Sequence, residues 1–210
     1  MLHFVDTPRL FGAAEIRFIS AVDFRDGKVT RQVDYWDGRR NPDDVPGPDD
    51  EYPYDLGLDT VGEQAAPKMN WTAHQLDAAL SAGDADAAAA LFSSDGILKD
   101  FTLRMRQEGQ FAIGRYLQRA LAYLPYGPGT TLRHVLGNDY GGGYEWKTDG
   151  QPVRNGITAL ELDGSSLITQ LTTVWDRSRM SDSAIQALAA LSIETQRALC
   201  QFARDGFRFG

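Results

Sequence analysis

The stretch "ITALELDGSSLITQLTTVWD", Ile157–Asp176, decides the fold. Two runs alternate apolar and polar residues with the period of a half-buried strand, and an Asp163-Gly164 turn lies between them. That combination reads as a β-hairpin. A shorter version of the same phrase, "ISAVDFRDGKVTRQVDYWD", occupies residues 19–37. In each copy a β-branched aliphatic residue and a Thr open the second run, and a Trp-Asp pair follows seven residues on, Val29 to Trp36 and Ile168 to Trp175. The chain thus carries one closing hairpin twice.

Working outward from the longer copy, "TTLRHVLG", "GGYEWKT" and "VRNGITALEL" also read as strands, so a run of antiparallel strands fills the second half of the chain. Helical periodicity precedes them. Asn70 is the expected N-cap of "WTAHQLDAALSAG", which places Leu76, Ala79 and Leu80 on one face and stops at Gly83. Asp84 caps the short helix "ADAAAALFSS", and "GILKDFTLRMR" reads as a single strand. In "QFAIGRYLQRALAYLP" the residues Ile113, Tyr116, Leu117, Ala120, Leu121 and Leu124 recur at helical spacing. An amphipathic helix is expected from Ser183 to Asp205, with Ile185, Leu188, Leu191 and Leu199 inward. The plan is α+β, a curved antiparallel sheet wrapped around three helices, with an N-terminal β-hairpin and a C-terminal helix.

Between the two hairpin phrases, residues 41–57 hold four prolines and six acids, a composition that opposes regular structure and marks a linker. The expected divisions are residues 1–40, an acidic Pro-rich linker at 41–69, a complete domain at 70–180 and a C-terminal helix at 181–210.

The 210 residues are 42% hydrophobic, enough for a packed core, and 29 acids against 21 bases give a net charge of −8. That field repels phosphate backbones and argues against nonspecific nucleic-acid binding. The single Cys200 offers neither an internal disulfide nor a metal framework, and with three scattered histidines it makes neither a metal nor a cofactor an expected feature. No apolar run approaches the ~20 residues of a membrane span, and no signal peptide is evident at "MLHFVDTPRL", so a cytoplasmic location without membrane contact is expected.

Four stretches together resemble the SnoaL-like branch of the NTF2-like superfamily: "ALSAGDADAAAALFSSDGILKD", "GRYLQRAL", "GYEW" and the hairpin Ile157–Asp176. The resemblance covers residues 70–178 and implies a cone-shaped α+β barrel. On it, "EIRFISAVDFRDGKVTRQVDYWD" matches only the last strands of a second such domain. This remnant is readable as the end of a longer two-domain protein, as a degenerate duplication or as an N-terminal extension. A lone hairpin exposes an apolar face, so it is expected to pack on the outer sheet of the complete domain or on a second copy in a homodimer.

The resemblance also implies an apolar pocket in which a desolvated carboxylate becomes a stronger base. Asp100, in "ILKDF", matches the general-base position of ketosteroid-isomerase-like relatives. Its candidate partners are His134 or a tyrosine, Tyr116 or Tyr123, donating to an enolate oxygen. Tyr144, Glu145 and Trp146 are candidate binding residues; because strand neighbours face opposite ways, Tyr144 and Trp146 share one face and Glu145 takes the other. Departures from the family are also legible. No tyrosine stands on the first helix, no Arg-x-Asp pair occurs in residues 70–178, and no acid precedes Glu161 in the closing hairpin. The expected function is a cofactor-independent isomerase, lyase or cyclase acting on a small hydrophobic carbonyl compound. The alternative is a noncatalytic module that binds a small hydrophobic ligand or a partner protein, since this fold hosts both.

Overall fold

The computed structural model describes residues 2–6, 16–38, 65–149 and 151–192. Most of the linker, Cys200 and the second half of the expected C-terminal helix lie outside these.

Helix α1 (Pro67–Ser81) begins three residues before the expected cap at Asn70. Pro67 stands at its first turn, where the missing N–H costs no bond and the fixed φ is already helical, so the end of the expected linker belongs to the helix. The other end follows expectation. Gly83 takes φ +72° and donates to the Leu80 carbonyl while Asp84 donates to that of Ala79, a Schellman closure. Asp84 then accepts from the Ala87 N–H and caps α2 (Ala85–Ala90). Helix α3 (Gln110–Ala120) continues into a 3-10 turn at Leu121–Tyr123. All six residues of its predicted stripe, Ile113 to Leu124, are buried. A further helix, α4, covers residues 182–192 of the described chain.

Two departures concern the first strand. "LFSS" leaves the helix early, because Phe92 is needed in the core, and joins β4 (Phe92–Asp100). The run then breaks at a tight turn, residues 101–104, where Arg104 takes φ +53°, and folds back as β5 (Met105–Glu108). With β6 (Thr130–Asn138), β7 (Gly141–Thr148), β8 (Asn155–Leu162) and β9 (Ile168–Trp175) these make a six-stranded sheet in the order β5-β4-β9-β8-β7-β6. Every pair is antiparallel except β4 with β9, which is parallel. The closing hairpin is β8–β9, as read from its sequence.

The sheet's inner face meets the helices. Leu98, Tyr144, Trp146, Leu160, Leu171 and Trp175 share one core cluster with Met69, Leu76, Ile113, Tyr116, Leu117 and Leu188. Its outer face is covered by a second sheet of three strands, β1 (Leu2–Asp6), β2 (Ile16–Arg25) and β3 (Lys28–Trp36), in that order. The expected hairpin is β2–β3, and β1 adds an antiparallel third strand. Ile19, Ala21 and Tyr35 of this sheet pack with Phe101, Ile157 and Val174 of the larger one. The fold is therefore α+β in three layers, helices, six-stranded sheet and three-stranded sheet.

Candidate functional site

Polar groups are buried on both faces of the large sheet, and strand alternation sorts them. On β4 the residues Leu98 and Asp100 point inward, toward the helices, and Asp100 is 0% exposed. One carboxylate oxygen, Oδ1, accepts the Leu103 backbone N–H at 2.9 Å, and Oδ2 accepts the Trp175 indole N–H at 3.1 Å. Thr102 fastens the same corner. Its hydroxyl donates to the Trp175 carbonyl at 2.6 Å and accepts the Trp175 backbone N–H at 3.0 Å, so the β4–β5 turn is tied to the end of β9. Burial pushes the Asp100 carboxyl up to about 6, against the bonds from Leu103 and Trp175 that favour its charged form.

Two tyrosines approach this carboxylate from the helical side. Tyr116 projects from α3 and is fully buried; Tyr126 comes from the turn "LPYGPG" that follows the 3-10 helix. Burial lifts both phenols well above their ordinary range, and the charge of Asp100 adds to the effect. The Tyr126 hydroxyl interacts with both Asp100 and Tyr116, although neither phenol nor the indole N–H of Trp146 makes a fully formed hydrogen bond among the described residues. The Trp146 ring lies 6.2 Å from that of Tyr126. A buried hydroxyl without a well-formed bond costs about 1–3 kcal/mol, so this buried cluster sets weakly engaged donors beside a carboxylate whose pKa is raised by burial.

Tyr144 shares the inner face with Trp146, as strand alternation requires, but stands beside Asp77 and Thr158. Tyr123, the other candidate donor on the third helix, is 67% exposed and does not join this buried cluster.

His134 and Glu145 are not brought to Asp100. In β6 two residues, His134 and Val135, stand opposite Tyr144 alone, which makes a β-bulge. His134 adopts φ +49° there, a conformation that non-glycine residues rarely take. The bulge sends Val135 to the core cluster and the imidazole to the outer face, where Nδ1 lies 2.5 Å from Glu145 Oε2. The other oxygen of Glu145, Oε1, accepts from Arg31 Nη2 and from the Tyr35 hydroxyl, each at 2.6 Å. Arg31 also reaches Asp23 at 3.3 Å. Burial works against the charge on Glu145, but the bonds from His134, Arg31 and Tyr35 outweigh it and bring its pKa down to about 2. An ionised carboxylate only accepts, so Nδ1 of His134 carries the proton between them. This cluster joins β3 to the large sheet.

Sequence reading singled out Asp100 and Tyr116, which the structure brings together, and missed the roles of Tyr126 and Trp175. Tyr126 sits in a proline- and glycine-bracketed turn, where no periodicity reports inward orientation. Trp175 carries the signal of a sheet anchor, and its bond to Asp100 follows from the parallel pairing of β4 with β9. Among the described residues no group of three or more His, Cys, Asp or Glu could hold a metal ion, and no helix is long and apolar enough to cross a membrane.

Comparison with protein-family models finds no match, and comparison with curated proteins finds none. Among solved structures, the chain is similar to an NTF-2 like protein of unknown function from Burkholderia xenovorans, with 20% identity and a TM-score of 0.43 over 55% of this chain and 94% of the other. It is also similar to a steroid delta-isomerase from Pseudomonas aeruginosa, with 13% identity and a TM-score of 0.45 over 68% of this chain and 98% of that one. A SnoaL-like protein of unknown function from Burkholderia thailandensis matches with 12% identity and a TM-score of 0.44, over 51% and 93% of the two chains.

Proposed function

We propose that this chain is a SnoaL-like member of the NTF2-like superfamily and a cofactor-independent isomerase, lyase or cyclase for a small hydrophobic carbonyl compound. Asp100 is the general base of this reading. With a pKa of about 6 it is mostly ionised at neutral pH and basic enough to take a proton from the carbon next to a carbonyl. Tyr116 and Tyr126 supply hydroxyl donors to the oxygen on which negative charge develops, in surroundings from which water is excluded. Trp175 and the Leu103 N–H hold the carboxylate in place through the turnover. The observation that carries the reading is the fully buried carboxylate beside two buried phenols, of which Tyr126 interacts with both Asp100 and Tyr116.

The test is deuterium incorporation at the α-carbon of a panel of small apolar ketones in D2O, followed by NMR. Exchange of at least one ketone, lost on Asp100→Asn and slowed on Tyr126→Phe, supports the proposal. Exchange that survives Asp100→Asn overturns it. Titration of the Asp100 carboxyl by carbon NMR provides a substrate-independent check, since a midpoint near 4 removes the base on which the proposal depends.

One observation favours the noncatalytic reading. Asp100 is wholly enclosed, and each of its oxygens already accepts a bond from the protein, as a structural carboxylate would. On that reading Asp100 fastens the β4–β5 turn to β9, and the protein binds a neutral ligand without converting it, so the panel shows binding without exchange.

A further inference from the structure

A groove of about 530 Å³ runs between α4, the turn after α3 and the β7–β8 connection. That volume lies within the range of small-molecule sites. Its floor is made by Leu124, Val153 and Leu188, all buried members of the core cluster that also contains Tyr126 and Trp175. Pro125, Pro128 and Pro152 are in its lining, and their fixed φ limits the backbone freedom lost there on binding.

The chemistry of the lining restricts the ligand. The chain carries a net charge of −8, yet none of the thirteen lining residues is charged. Among the described lining residues an anion, entering against the protein's overall field, would meet no cation, and a cation leaving water would meet no carboxylate. Only a neutral molecule matches. Two side chains of the lining carry hydrogen-bonding groups, the Tyr123 phenol and the Gln151 amide, and Tyr123 is 67% exposed. This explains a large exposed aromatic at the end of α3 that the core does not use: an amphipathic ring at a rim.

We infer that this groove is a binding site for a neutral, predominantly apolar small molecule with one hydrogen-bonding group held by Tyr123 and Gln151. It rests on the proposed reaction only for the fate of that molecule, because its residues and those around Asp100 are different sets.

The experiment uses the full chain and a matched pair of fluorescent probes, N-phenyl-1-naphthylamine, which is neutral, and 8-anilino-1-naphthalenesulfonate, which has the same body and a sulfonate. The expected result is saturable binding of one neutral probe per chain, at least about tenfold tighter than the anionic one. Ala187, exposed on α4 and part of the lining, accepts a charge without disturbing the core. Ala187→Glu is expected to weaken the neutral probe about tenfold or more, while Gln186→Glu, on the same helix but outside the lining, leaves it within about twofold. Asp100→Asn is expected to leave binding intact, so a failure of the reaction and a failure of the groove give different patterns. Absence of saturable neutral binding, equal affinity for both probes or indifference to Ala187→Glu overturns the inference. A dimer in light scattering that Ala187→Glu converts to monomer also overturns it, because the groove is then an interface between copies.

Discussion

The indole N–H of Trp175 bonds to the carboxylate of Asp100 at 3.1 Å, across the single parallel strand pair of the large sheet. Both side chains are 0% exposed, so this bond is made where water cannot replace it. Trp175→Phe keeps an aromatic body and removes the donor. Since hydrogen bonds to charged groups contribute about 1.5–3 kcal/mol, a loss of roughly that size is expected in urea denaturation at pH 7. The Asp100 pKa is expected to rise further, because the lost bond favoured the charged form.

Asp100 also makes stability depend on pH in an unusual direction. Its carboxyl is raised by burial from 3.8 to about 6 in the folded protein. Between those values the folded state binds more protons than the unfolded one, so stability falls as pH rises through this window and stays low above it. The size is on the order of 3 kcal/mol. Denaturation midpoints followed from pH 4 to 7 should show the decline, and Asp100→Asn should flatten it. A flat profile for the native protein removes the raised carboxyl from the account.

Glu145 has the opposite sign. Its pKa is lowered from 4.5 to about 2, so its contribution is complete above 4.5 and is lost as pH falls toward 2. The side chain is 4% exposed and that of Arg31 14%, so breaking the pair leaves a poorly solvated charge. Arg31→Met is expected to cost about 2–4 kcal/mol at pH 7, toward the lower end of buried-pair losses because His134 and Tyr35 still donate. The cost should shrink below pH 4, where protonation relieves the charge. A penalty that does not change with pH would place the loss in packing instead.

Removal of residues 1–40 strips the three-stranded sheet from the outer face. Phe101, Ile157 and Val174 then meet water, and Glu145 loses Arg31 and Tyr35. The truncated chain is expected to melt at a lower temperature and to bind more of a hydrophobic dye; an unchanged Tm would show that this layer contributes nothing to the larger domain.

Gly156 faces the ring of Trp146. A Cβ built there would sit 2.1 Å from Trp146 Cζ2, closer than atoms can approach, so the indole must move. Trp146 is 1% exposed and closely packed, and Gly156→Ala is expected to destabilise by about 1–3 kcal/mol, measured by thermal denaturation.

Local chemistry was enough to read three helices, the stop of α1 at Gly83 and the closing hairpin, but not the start of α1 or the end of α2. Gly83 and Asp84 punctuate α1 and α2 through bonds that reach no further than five residues. The stripe from Ile113 to Leu124 and the alternation of Tyr144, Glu145 and Trp146 report which way each side chain faces, because period and orientation are properties of one element. The family resemblance singles out Asp100, inside a run read as one strand; that it closes β4 comes from the structure. The tertiary structure alone decided its partners. Trp175 reaches it through a strand pairing across 75 positions, and Tyr126 through a turn without periodicity. It also separated His134 from Asp100, since a bulge in β6 inverts the face that simple alternation would assign. The repeated Trp-Asp phrase carries the same lesson: Trp175 lies wholly in the core while Trp36, on the covering sheet, is only partly buried. Equal sequences acquire unequal roles because burial and bonding belong to the assembled layers, not to the strand that contributes the residue.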